Sequence, residues 1–83
     1  MTREIKVGDR VQTLVAKDEL MVGINIPAGV VGEVVRIEPY NGMCILGIKL
    51  DEHFDDLDEL HNVLEFYLEG ECASLDDYVR ALT

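Results

Sequence analysis

Eighty-three residues, 48% of them hydrophobic, with a formal net charge of −10 describe one small domain, since a chain of this size hides only about 60% of the surface it exposes when unfolded. The apolar share excludes a disordered tail, no apolar run nears the ~20 residues of a membrane helix, and no leader pattern follows Met1. A single soluble, cytoplasmic domain over residues 1–83 with no membrane contact is expected.

In chain order, Gly8-Asp9 is a turn dipeptide, and residues 10–16 after it are β-branched and roughly alternating, which predicts a first strand. The stretch from Leu20 to Pro27 holds neither a period of two nor one of 3.6 and reads as a long loop of apolar content. From Val30 to Glu38 valine and isoleucine dominate, but their positions fall on both faces of a strand. A bulge or bend near Gly32 reconciles this, because one inserted residue switches the face that later side chains occupy.

Asn41-Gly42 between two apolar runs predicts a two-residue hairpin turn. The strand after it, Cys44 to Leu50, sets Cys44, Leu46, Ile48 and Leu50 on one face, with Gly47 and Lys49 on the other. Residues 52–69 fit an amphipathic helix by spacing, and they also fit a turn followed by a strand. A barrel needs a further strand, so a strand from about Val63 is expected, with Leu64, Phe66 and Leu68 on one face and a short helical turn near Asp55 to Leu60. Ser74 followed by Leu75-Asp76-Asp77 has the form of a helix start, and Leu75, Tyr78, Val79 and Leu82 recur at helical spacing. A short C-terminal α-helix over about 74–82 is therefore expected, docked on the barrel or on another chain.

Gly8, Asp9, Val11, Pro27, Gly29, Gly32, Val34 and the strand end Leu50-Asp51 together resemble the Src-homology-3-like small barrels, especially the KOW and translation-factor type and related uncharacterised bacterial proteins. The resemblance spans about residues 5–68 and implies a mainly β fold, a barrel of about five strands over about residues 5–69. It also implies ligand classes from which this chain departs. Barrels of that type that bind ribosomal RNA present basic surfaces, whereas residues 51–77 here hold eleven acids and no Lys or Arg. Those that bind polyproline use an aromatic groove, and this chain has no Trp.

No residue pattern marks catalysis, and neither a catalytic residue, a cofactor nor a metal is expected. His53 and His61 stand among Asp51, Glu52, Asp55, Asp56, Asp58 and Glu59, the one cluster of metal-ligand types, yet no known ligand spacing is present and a solvated acidic connector is the simpler reading. Cys44 and Cys72, 28 positions apart and without a C-x-x-C, read as a reduced pair, with a disulfide or metal use as the alternative.

The expectation is thus a non-catalytic interaction module that binds protein or associates with itself, a homodimer being the simplest form. Its contact residues are expected in the apolar loop, at Leu20, Met21, Val22, Ile24 and Ile26, or on the helix face, at Leu75, Tyr78, Val79 and Leu82. Two alternatives stand beside it: a nucleic-acid or ribosome-associated barrel using Arg3, Lys6, Arg10, Lys17, Arg36 and Lys49, and an acidic nucleic-acid mimic that captures basic proteins.

Overall fold

The computed structural model describes residues 5–19, 24–54, 57, 62–69, 72 and 75–82. Its strands are β1 (Arg10–Thr13), β2 (Lys17–Glu19), β3 (Ile24–Ile26), β4 (Val31–Tyr40), β5 (Met43–Leu50), β6 (Val63–Glu69) and β7 (Val79–Ala81), with a 3-10 turn at Leu75–Asp77 just before β7. Five of them form one antiparallel sheet in the order β6-β5-β4-β1-β7, and β2 pairs with β3 as a separate ribbon.

The chain enters this sheet through the turn at Val7-Gly8. Gly8 takes a φ of 97°, a left-handed value open to glycine without steric cost. The buried Asp9 closes the turn from its side chain, Oδ2 accepting the Lys6 amide at 3.1 Å. The turn is then tied to β4, where the Gly8 amide donates to the Val34 carbonyl at 2.8 Å and the Val34 amide to the Asp9 carbonyl at 2.9 Å.

Strand β4 is where the sheet bends. Val34 stands opposite Ile48 and Arg36 opposite Gly47, so Val35 is an extra residue with no partner on β5. Before this bulge the inner positions are Gly32 and Val34; after it they are Ile37 and Pro39, which stand opposite the inward-facing Leu46 and Cys44. The bend expected near Gly32 is thus present, three residues further on. Gly32 has its own role: a Cβ there would overlap the Lys49 carbonyl oxygen and lie 2.8 Å from Ile48 Cγ2. The hairpin at Asn41-Gly42 forms as expected, with φ of 50° and 77°.

The core lies on the inner face, where Val11, Val34, Leu46, Ile48 and Leu64 are almost fully buried with Cys44, Phe66 and Leu68. Of the two readings open for residues 63–69, the strand forms, with Leu64, Phe66 and Leu68 opposite Ile48, Leu46 and Cys44.

The fold is mainly β, but finer expectations are corrected. Among the described residues the sheet is not closed into a barrel, for β6 and β7 end its strand order and do not pair with each other. Of the α-helix expected over about 74–82, the described residues 75–82 form none: a 3-10 turn, closed by the Tyr78 amide on the Leu75 carbonyl at 3.0 Å, leads into β7. The reason is the open edge of β1. The Leu14 amide donates to the Tyr78 carbonyl at 2.8 Å and the Leu82 amide to the Arg10 carbonyl at 2.9 Å, whereas a lone helix under about 12 residues is marginal. Part of the expected loop is also ordered as the β2–β3 ribbon, with Lys17 opposite Ile26 and Glu19 opposite Ile24.

The cysteines are not a reduced pair. Cys44 and Cys72 form a disulfide with Cα atoms 5.2 Å apart, and Cys44 stands opposite Leu68, near the end of the strand that precedes Cys72. In the chain-entropy account, closing a loop of this length stabilises the fold by about 3.5 kcal/mol.

Gly32→Ala forces a methyl group against a strand backbone that cannot give way. We expect it to cost at least the upper end of the about 1–3 kcal/mol typical of overpacking, read as a lowered urea midpoint at unchanged slope.

Candidate functional site

A surface groove of about 500 Å³ lies between the end of β1 and β6. Alternation along β6 turns Phe66 inward, 5% exposed, and Tyr67 outward, 53% exposed, so the groove has one aromatic in its floor and one on its rim. Tyr78 closes the far side, its ring centroid 6.4 Å from that of Phe66 at an interplanar angle of 42°. Val15 forms the facing wall, and Glu69 stands at the end of β6. Lys17, the first residue of β2, holds Nζ 5.6 Å from the Phe66 centroid and 5.7 Å from that of Tyr67, within reach of cation–π attraction. The site is an apolar, aromatic trough with one cation above it, suited to an extended chain.

Of the residues expected to meet a partner, Ile26, Leu75 and Val79 are buried in the core. Tyr78 is half-buried on the groove and Leu82 is 41% exposed at the end of β7. Ile24 lies in β3, and Leu20, Met21 and Val22 lie outside the described residues. The groove residues Val15, Lys17, Phe66 and Tyr67 were not among those expected contacts. The one signal for them in the sequence is the alternation of Leu64, Phe66 and Leu68, which leaves Tyr67 pointing outward.

The acidic connector begins at Asp51, Glu52 and His53, all exposed. Asp55, Asp56, Asp58, Glu59 and His61 lie outside the described residues, and among those described no three of His, Cys, Asp and Glu converge as metal ligands. The connector is clasped by Asn62, which takes a φ of 49°. Its Nδ2 donates to the carbonyls of Leu50 at 3.0 Å and Glu52 at 2.8 Å, while its Oδ1 accepts the Phe54 amide at 3.2 Å.

Arg10, Arg36 and Arg80 are engaged within the molecule. Arg10 forms a two-pronged pair with Asp51, with Nη1 to Oδ1 at 2.9 Å. Arg36 bridges Glu38 at 2.7 Å and Glu65 at 3.0 Å on the outer face, and Arg80 donates to Gln12 Oε1 at 2.6 Å. The hydrogen bond from Arg10 holds the Asp51 carboxyl below its usual range, with the guanidinium charge adding to it. Among the described residues no helix is long and apolar enough to cross a membrane.

Comparison with protein-family models, curated proteins and solved structures returns no match for this chain.

Asn62→Ala removes three hydrogen bonds to backbone groups and is expected to lower stability by about 1–3 kcal/mol in urea titration. Asn62→Gly relieves the left-handed backbone but stays destabilised, because the amide is gone. For the Arg10–Asp51 pair the folded carboxyl is lowered, so its contribution is present above the unfolded value of about 4 and is lost as pH falls through the lower folded value. Arg10→Met should therefore narrow the gap between urea midpoints at neutral and strongly acidic pH. High salt should shrink that difference, since both side chains are about half exposed.

Proposed function

We propose that this protein is a non-catalytic interaction module, a strongly bent small β-domain of the Src-homology-3-like kind, which receives an extended segment of a partner protein in the groove between Val15–Lys17 and Phe66–Tyr78. The observation that carries this reading is the juxtaposition of Phe66, Tyr67 and Tyr78 in one open trough. Aromatic walls give large contact area at low entropic cost to a peptide that lies across them. A first strand paired with the last, with a 3-10 turn leading into that last strand, supports the Src-homology-3-like reading, although among the described residues the sheet is left open between β6 and β7.

Charge favours a basic protein partner over self-association or nucleic acid. Two copies at −10 each repel one another, which weighs against self-association. Nucleic acid needs free cations along one face, and here Arg10 and Arg36 are already neutralised by Asp51, Glu38 and Glu65. Chemistry by a free thiol is not at hand, since Cys44 and Cys72 are joined.

The test is a nuclear magnetic resonance titration with a panel of twelve-residue peptides that place Lys or Arg beside Pro and Leu. Shifts are expected at Val15, Lys17, Phe66, Tyr67 and Tyr78, and Tyr78→Ala should weaken binding about tenfold, or about 1.4 kcal/mol. Shifts that map elsewhere, or a stronger response to an RNA or DNA oligonucleotide at low salt, would overturn the reading.

A further inference from the structure

We infer that the Cys44–Cys72 bridge is a site of thiol–disulfide exchange, opened by a dithiol reductant, and that its opening releases the wall that Tyr78 lends to the groove. The two sulfurs are unequal. Cys44 is fully buried on the inner face of β5, whereas Cys72 is partly exposed and lines a second surface hollow of about 470 Å³ together with Ile37, Pro39, Tyr40 and Met43. An incoming thiolate therefore meets Cys72. The sulfur of Cys44 becomes the leaving group.

In the first step the reductant's thiolate forms a bond to Cys72 Sγ, the Cys44–Cys72 bond breaks, and its electron pair leaves on Cys44 Sγ, which takes up a proton. The reductant's second thiol, deprotonated, then attacks the reductant's own first sulfur. This releases Cys72 as a thiolate that is protonated in turn. The dithiol has become a disulfide, and two electrons and two protons have passed to the protein. A monothiol lacks the second step and leaves a mixed disulfide that Cys44 can close again, so the site selects a dithiol.

The bridge is placed to act on the groove. Cys44 stands opposite Leu68 in the β5–β6 register, so the disulfide anchors the chain beside the end of β6, three residues before the 3-10 turn that delivers Tyr78. With the anchor gone, Leu75 and Val79 still hold this segment to the core, and the domain stays folded. What slackens is the edge pairing of β7 on β1 and the position of the Tyr78 ring. The effect on ligand rests on the interaction reading above, whereas the exchange at Cys72 does not.

The experiment uses the oxidised full chain with dithiothreitol or, at equal total thiol, 2-mercaptoethanol, and reads released thiols by mass and amide exchange without denaturant. Dithiothreitol is expected to open the bridge in the folded protein. The amides of Leu14, Tyr78 and Leu82 should then exchange at least about tenfold faster than in the oxidised protein and at least about tenfold faster than those of β5. The β5 amides exchange through the global unfolding that the lost loop closure makes more frequent, so that a local opening is told from the global one. The Cys44→Ala/Cys72→Ala variant should reproduce this pattern in the absence of reductant; if it does not fold, the wild type with and without dithiothreitol decides alone. A bridge that opens only in denaturant, exchange at Leu14, Tyr78 and Leu82 no faster than at β5 after reduction, or no change at Leu14, Tyr78 and Leu82 would each overturn the proposal. Affinity for the basic peptides is measured in both states and should fall about fivefold or more on reduction. Unchanged affinity beside faster exchange would overturn the coupling. No peptide binding in either state would overturn the interaction reading and leave exchange at Cys72 judged by the amides.

Discussion

At Gly32 the backbone of β4 passes so close to Lys49 and Leu50 of β5 that no side chain fits between them, and three residues later Val35 is left over from the ladder. These two features act together. Close approach lets the first half of β4 press Val34 into the core opposite Ile48, and the bulge then rotates the second half so that Ile37, not Arg36, packs against the core opposite Leu46, with the exposed Pro39 on the same side of the strand. Arg36 is thereby left on the outer face, where Gly47 makes room for it and Glu38 and Glu65 pair with it. A regular strand would have carried a charged guanidinium toward Leu46, at a desolvation cost that a domain of this size cannot absorb.

The same bend decides where the chain ends meet. β1 pairs with the first part of β4 only, from Val31 to Glu33, and its other edge is taken by β7. Thr13 stitches this corner from within. Its buried hydroxyl accepts the amides of Gly29 at 3.0 Å and Val30 at 3.2 Å, which holds the far end of the β2–β3 excursion against β1. Gln12 works on the other side of the strand, linking the Gly29 carbonyl to Arg80 of β7. β7 and the turn that leads into β4 are thus tied to β1 by side chains as well as by backbone.

The groove is a by-product of this closure and inherits its polarity. Its floor is core, since Phe66 belongs to the same apolar cluster as Leu46 and Leu68, and its rim is Tyr67 and Tyr78. The acidic connector lies at the other end of β6, clasped by Asn62. The molecule therefore offers an aromatic trough on a strongly negative body, with Arg10 and Arg36 already paired at home.

Much of this was legible in the chain. Asn41-Gly42, the alternation of Cys44 to Leu50, the need for a bulge in β4 and the strand face of Leu64, Phe66 and Leu68 all follow from local rules, because period and turn chemistry are properties of neighbouring residues. The C-terminal segment was not legible: Leu75, Tyr78, Val79 and Leu82 satisfy a helical period, yet Leu75 and Val79 are equally well buried by a 3-10 turn and a strand, and the deciding partner is the free edge of β1, about 65 residues away in sequence. The disulfide escaped for the same reason, since a spacing of 28 says nothing of which strand Cys72 returns to. So did the groove, whose walls come from the residues after β1, from β6 and from the turn before β7. Sequence alone determined the mainly β class, the position of the hairpin and the acidic half; tertiary structure decided the fate of the last ten residues, the state of the cysteines and the site, because each depends on contacts between segments that local propensity cannot bring together.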